Sequence, residues 1–327
     1  MTPSSLLFLS TMAMGTIVTL SSSNWLYLWM GMELNLLSFV PLIATTSSLQ
    51  ETEASVKYFI IQAIGSSLML TAGIMASNPN IFSSKKIIIS VMFISSMILK
   101  LGMAPCHQWL PHVMSSIPWM MCLTLATWQK ISPMVMLMML STTDSHHIMM
   151  LMAMLSAMIG GIGGLNQSQM RTLLAYSSIG HMGWLVSTVT CSYNTFMTYF
   201  ITYITITCAA MYLFMQSNII HSKLFMKTKT PPMTFTIIML TLFSLGGLPP
   251  LLGFFPKWMI INSMMSQSMM MITSMLVLGS LMNLFYYFNM SFNYIITPAN
   301  SPTPNKTKIS SIAISTLATI TPMFLML

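Results

Sequence analysis

The sequence predicts an all-α polytopic membrane protein. Of 327 residues, 55% are hydrophobic and 5% charged, against about 25% charged in a soluble domain. The 12 basic and 4 acidic side chains are too few to coat a soluble protein of this length. Apolar runs of about 20 residues, the length of a bilayer-spanning helix, recur along the whole chain.

About eleven spans are predicted, near 4–21, 25–44, 56–76, 86–104, 118–140, 147–164, 172–191, 195–219, 234–264, 268–292 and 308–325. The first opens with MTPSSLLFLSTMAMG, which has no basic residue, so it reads as a retained helix rather than a signal or transit peptide. The second carries Glu33. A polar link precedes the third, where Thr52 and Glu53 resemble an N-cap and a first-turn acid. The turn Asn78-Pro79-Asn80 leads into the fourth span, which breaks at Pro105. That proline removes a backbone N–H and strands the carbonyl of Leu101, and Gly102 and Pro111 add to the break.

The fifth span holds Lys130, with a kink expected at Pro133. The sixth ends on Gly160, Gly161, Gly163 and Gly164, a patch read as close helix packing because no strand precedes it. His181 lies in the seventh. After the eighth comes the most basic connection, from Lys223 to Pro232. The ninth is broken where Gly246, Gly247, Pro249, Pro250, Gly253 and Pro256 crowd together. The tenth is plain. The longest loop, Thr297 to Lys308, precedes the eleventh. No stretch could hold a soluble domain, so 1–327 reads as a single membrane domain.

Helix breaks cannot face lipid, because freed backbone groups need protein or water partners. The two breaks fall at matching places, in the fourth span and in the fourth of the next five. Interrupted segments so placed predict inverted five-helix repeats, here about 4–140 and 147–292, with a final helix at 308–325.

The formal charge of +8 does not point to nucleic acid, since the basic residues form no stripe or recognition module. Sorted by side, the loops place Lys57, Arg171, Lys223, Lys227, Lys229, Lys306 and Lys308 together, against Lys85 and Lys86 opposite. The positive-inside rule then puts the N-terminus inside and, with an odd helix count, the C-terminus outside. The 41 methionines and the lone Arg171 suggest an organelle genome with biased codons. Cys106, Cys122, Cys191 and Cys208 have no CxxC spacing and read as small buried hydrophobes.

The chemistry should lie in the charges held within apolar runs: Glu33, Lys100, Lys130 and Lys257. Burying one at mid-bilayer costs about 2.5–3.5 kcal/mol on a lenient scale. Glu33 stands about 13 Å into its helix and Lys130 about 18 Å into its own. Burial favours the neutral form of both residue types, while an opposite charge restores the ionised form. Lysine can therefore exchange a proton where arginine cannot. A structural ion pair is the alternative for Glu33, and snorkelling for the lysines. His181 reads either as a relay member or as a hydrogen-bonded core residue. His107 and His112 flank the first break, with no assigned role, as for Lys86. His146 and His147 read as loop residues beside Asp144, with no metal site expected. There is no Walker loop, haem motif, iron–sulfur cysteine cluster or nucleophile triad. The sequons at Asn166 and Asn305 fall on the predicted inner side.

The stretches WMGMELNLLSFVP, TEASVKYFIIQA, LKLGMAPCHQWLP, TWQKISP, GGLNQSQMRTLLAYSSIGHMGW and FSLGGLPPLLGFFPKW occur in that order between about residues 25 and 260. In these the chain resembles the subunit 2 family of mitochondrial NADH:ubiquinone oxidoreductase (respiratory complex I), antiporter-like subunits of its membrane arm. The last sixty residues or so match only in being apolar. The resemblance implies a glutamate–lysine pair at Glu33 and Lys100, a central lysine at Lys130 and the second broken helix's lysine at Lys257. Cys106 and Gln108 stand where aromatic residues are expected.

It further implies proton translocation coupled to electron transfer from NADH to ubiquinone elsewhere in the complex. This chain would then bind no cofactor or metal, with NADH, FMN, Fe–S clusters and ubiquinone belonging to other subunits. Partners would be neighbouring antiporter-like subunits and phospholipids such as cardiolipin. The location would be the mitochondrial inner membrane, with the N-terminus in the matrix and the C-terminus in the intermembrane space. A stand-alone cation/proton antiporter and a purely structural spacer remain as rival readings.

Overall fold

The computed structural model describes residues 3–44, 48–77, 86–140, 143–189, 191–217 and 232–296. The expected eleventh helix at 308–325, the turn at 78–80, the connection at 223–231, the loop at 297–308, Lys85 and the sequon at Asn305 lie outside the described residues.

The described elements are helices: α1 Pro3–Ser21, α2 Trp25–Ile43, α3 Leu49–Ser77, α4 Lys86–Leu101, α5 Trp109–Ser116, α6 Trp119–Ala126, a 3-10 turn Trp128–Lys130, α7 Ile131–Met139, α8 Thr143–Gly164, α9 Met170–Val189, α10 Tyr193–Ser217, α11 Pro232–Gly246, α12 Phe254–Ser266 and α13 Met270–Ile296. Among the described residues, six helices are long and apolar enough to cross a membrane: those in α1, α2, α3, α8, α10 and α13. The chain divides into two compact units, Met1–Met152 and Ala153–Leu327.

In the first unit α1 packs on α2, α2 on α3, and α3 on α4 and α5, while α7 lies against α1 and α4. Gly15 and Gly31 let the first two backbones approach, since a Cβ on either would meet the other's carbonyl oxygen within 3 Å. Phe39, Leu42, Ile43, Met69, Met97 and Leu101 are fully buried. In the second unit α10 packs on α9, α11 and α12, and α13 on the same three helices. The glycine patch at the end of α8 serves close packing, as its composition predicts. Gly160 abuts Gly180 of α9, and Gly161 abuts Gly279 of α13.

Three expected helices are in pieces. The expectation 86–104 ends at Leu101, where Gly102 takes φ +69. Gly102 N–H donates to Leu99 O (3.2 Å) and Met103 N–H to Ile98 O (3.1 Å). That is a Schellman stop, with glycine in the left-handed region. The expectation 234–264 is two helices, and α11 stops in the same way. Gly247 has φ +86, donates to Ser244 O (3.1 Å), and is followed by Leu248 N–H on Phe243 O (3.2 Å). Glycine therefore ends each helix, and Pro105 and Pro249 follow a few residues later.

The expected helix 118–140 is interrupted at 127–130 rather than kinked at Pro133. The cause is still that proline. Pro133 has no N–H for the carbonyl of Gln129, so the turn before it tightens. Lys130 N–H reaches Thr127 O at 3.3 Å, a 3-10 bond.

Other boundaries also move. α3 begins at Leu49, not 56, and Ser48 rather than Thr52 caps it, accepting from Glu51 N–H at 3.4 Å. Glu53 instead pairs with Lys57 one turn on, at 2.6 Å. α8 begins at Thr143, so His146 and His147 are helical rather than in a loop. Of the four cysteines, read as buried, Cys122 is buried and Cys106 exposed, because Cys106 sits in the segment between α4 and α5.

Replacing Gly102 by alanine should cost about 1–2 kcal/mol for the left-handed backbone. Gly247→Ala should cost more, because its Cβ would come within 2.9 Å of Lys257 Nζ. Thermal melts of the purified variants check both. Unchanged melting for Gly247→Ala contradicts the Schellman stop.

Candidate functional site

In the first unit Lys100 and Lys130 come together. Lys100 lies in the last turn of α4, before the Gly102 stop, and Lys130 closes the 3-10 turn. They are 7% and 2% exposed. Both line one cavity of about 20 Å³, room for about one water. Asn35, Gln62, Tyr58 and Gln129 supply most of its other polar lining.

The freed carbonyls of α4 are met by neutral donors. Gln62 Nε2 donates to Lys100 O and Trp109 Nε1 to Leu99 O, each at 3.1 Å. With the backbone satisfied from α3 and α5, the Lys100 ammonium turns elsewhere, lying 3.8 Å from Met32 Sδ.

Glu33 is half-buried on α2, beside Met32. The direct Glu33–Lys100 ion pair that the resemblance implies is absent, with no N···O contact within 4 Å between them. The carboxylate acts on Lys100 electrostatically at longer range. The side chain one residue earlier, Met32, occupies the place beside the ammonium.

In the second unit the lysine meets its break differently. Lys257, in the first turn of α12 and 6% exposed, reaches back to the end of α11. Its ammonium donates to Gly246 O at 2.7 Å and Leu245 O at 3.4 Å. A cation at a helix C-terminus meets both the orphan carbonyls and the negative end of the dipole. The same ammonium lies 5.9 Å from the centre of the Trp184 ring, within cation–π range.

Trp184 is one turn along α9 from His181. His181 is 6% exposed, and its Nδ1 lies 2.8 Å from the Tyr199 hydroxyl. The Tyr203 ring is 5.3 Å away, centre to centre. His181 and Lys257 thus share the α9 face that carries Trp184.

The structure therefore brings Lys100 and Lys130 together in one unit, with Glu33 near, and places His181 and Lys257 along α9 in the other. His107 lies in the segment after the first break, where its Nδ1 is 3.1 Å from Pro105 O, and His112 is exposed on α5. Among the described residues no group of three or more His, Cys, Asp or Glu side chains is placed to hold a metal ion. Sequence reading passed over Asn35, Gln62, Gln129, Trp184 and Tyr199. Three of these offered a signal, since Asn35, Gln62 and Gln129 are carboxamides inside apolar runs, where an unsatisfied amide is costly.

This arrangement, helices broken inside an apolar bundle with buried lysines at the breaks, defines an antiporter-like membrane subunit. The sequence profile of the family described as the NADH:quinone oxidoreductase/Mrp antiporter transmembrane family matches residues 22–283. NADH-ubiquinone oxidoreductase chain 2 of Lumbricus terrestris is 42% identical over 312 residues, covering 94% of this chain and 91% of its own. The Locusta migratoria chain 2 is 40% identical over 297 residues, covering 89% and 85%. In fold, a chain of respiratory complex I from Thermus thermophilus with bound aureothin superposes with a TM-score of 0.83 at 21% identity, over 96% of this chain and 76% of that one. A chain of the Mrp complex from Dietzia sp. gives 0.77 at 14% identity, over 92% and 62%. The protein belongs to the NADH:quinone oxidoreductase/Mrp antiporter family, in its NADH-ubiquinone oxidoreductase chain 2 branch.

Lys257→Met should leave the Gly246 and Leu245 carbonyls without their charged donor, at about 1–3 kcal/mol. Lys257→Arg should lose less, because its guanidinium still donates. Melting of the two variants side by side checks this. Equal losses would contradict the capping role.

Proposed function

We propose that this chain is a proton-translocating core membrane subunit of NADH:ubiquinone oxidoreductase. Protons move along a buried series of ionisable groups: Glu33, Lys100 and Lys130 in the first unit, His181 and Lys257 in the second. The chain carries no redox centre. NADH, FMN, Fe–S clusters and ubiquinone belong to other subunits, and electron transfer there drives the charge movement here. Its neighbours are further antiporter-like subunits, with phospholipids such as cardiolipin at the boundary. It spans the mitochondrial inner membrane as about eleven helices in two inverted repeats, with the N-terminus in the matrix and the C-terminus in the intermembrane space.

The observation that carries this reading is the cavity shared by Lys100 and Lys130. Two lysines that line one small polar space can each exchange a proton with water held there, and each changes the other's proton affinity through its charge. Glu33 acts on Lys100 electrostatically. Altering the Glu33–Lys100 interaction would thus change the proton affinity of Lys130 in turn. Each proton moved against about 150 mV requires about 3.5 kcal/mol from the field, a size that a change of charge among buried groups can supply.

The same groups would also suit a stand-alone cation/proton antiporter, a reading that the family's inclusion of Mrp antiporters keeps in view. An isolated chain that exchanged cations for protons in vesicles would favour it.

Lys130→Ala and Glu33→Gln should each depress coupled NADH oxidation and proton pumping by about tenfold or more, the rate equivalent of about 1.4 kcal/mol. Electron transfer from NADH to artificial acceptors should remain. Measuring both activities in the assembled complex is the check. Normal pumping in the two variants would overturn the relay.

A further inference from the structure

The proton reading leaves one half-buried group beside Lys130 without a task. Gln129 precedes Lys130 in the 3-10 turn. Its Nε2 donates to Asn35 Oδ1 at 3.0 Å and lies 3.4 Å from Met12 Sδ. Its Oε1 accepts from the Tyr58 hydroxyl at 3.4 Å. Both amide hydrogens and one lone pair are engaged, so the carboxamide has a single orientation. Three helices, α1, α2 and α3, thus hold one side chain of the turn.

The other end of the turn is also tethered. Ser132, two residues after Lys130, shares a hydrogen bond of 2.9 Å with Thr19 on α1. The turn at Lys130 is short and has 3-10 geometry, so these outside bonds help to fix where the lysine stands.

Asn35 is 3% exposed and lies two residues after Glu33 on α2. A carboxamide has no proton to exchange near neutral pH, so the Asn35–Gln129 pair is no relay station. It is a physical link between two elements that carry titrating groups. α2 bears Glu33, and the turn bears Lys130.

We propose that the Asn35–Gln129 hydrogen bond is a positioning latch, which transmits displacement of the Glu33 helix to Lys130 and sets where that amine sits in the shared cavity. This rests on the proton-translocating reading above and deepens it. Asn35 and Gln129 are positioning residues that act through Lys130. The coupling between Glu33 and Lys130 then has a packed component as well as an electrostatic one through Lys100.

The test uses the full chain in its assembled membrane complex. Asn35→Leu and Gln129→Met each remove the bond at nearly constant volume. Each is expected to lower coupled turnover per assembled complex by about threefold to tenfold and to shift the pH profile of pumping. The exchange Asn35→Gln with Gln129→Asn keeps the summed side-chain length and the bond, and should restore most of both. A purely structural bond would lower the amount of complex while leaving turnover per complex and its pH profile unchanged. That result overturns the latch, and so does an exchange variant no better than the single ones. Lys130→Ala, run in parallel, separates the two ideas. Normal pumping in Lys130→Ala sinks the proton reading itself. Loss of pumping there with normal latch variants sinks only the latch.

Discussion

A helix that stops inside an apolar bundle leaves its last carbonyls without water, and protein donors must meet them. Much of the site follows from how that requirement is met twice. At the end of α4 the donors are neutral, Gln62 and Trp109. At the end of α11 the donor is the ammonium of Lys257. The same Schellman stop therefore yields two lysines with different surroundings. One stands before its break and faces a polar cavity. The other stands after its break and holds it closed.

That difference accounts for a feature of the sequence that looks like a mismatch. Lys100 precedes Gly102, whereas Lys257 follows Gly247 by ten residues. A lysine in the last turn of a helix has its own side chain directed back along that helix, away from the terminal carbonyls. A lysine in the first turn of the next helix can reach across the gap to them. The two placements are alternative ways to set an amine beside a broken helix end.

Lys130 rests on a third break. Its turn exists because Pro133 cannot supply the N–H that Gln129 O requires, and it is held from outside by Asn35, Tyr58 and Thr19. The amides that line the shared cavity, Asn35, Gln62 and Gln129, also bond the backbone or one another across helices. In the polar interior of the first unit, Gln62 both satisfies the freed backbone and lines the cavity of the lysines, while Asn35 and Gln129 line it and bond each other.

The sequence by itself determined the membrane class and the two broken helices, and it singled out Glu33, Lys100, Lys130, His181 and Lys257 as charged or titratable groups within apolar runs. Hydropathy, helix-breaking residues and the cost of buried charge are local properties, readable one segment at a time. It also implied, by resemblance, a Glu33–Lys100 pair; in the structure the Lys100 ammonium lies beside Met32 Sδ and Glu33 acts on it electrostatically. Only the tertiary structure decided which donors meet the freed carbonyls, that Lys100 and Lys130 share a cavity, and that Gln129 binds Asn35. Those facts join residues 94 positions apart in the case of Gln129 and Asn35. Nothing in the spacing of one helix records which polar group on another will stand opposite, because that is set by how side chains from several helices pack together.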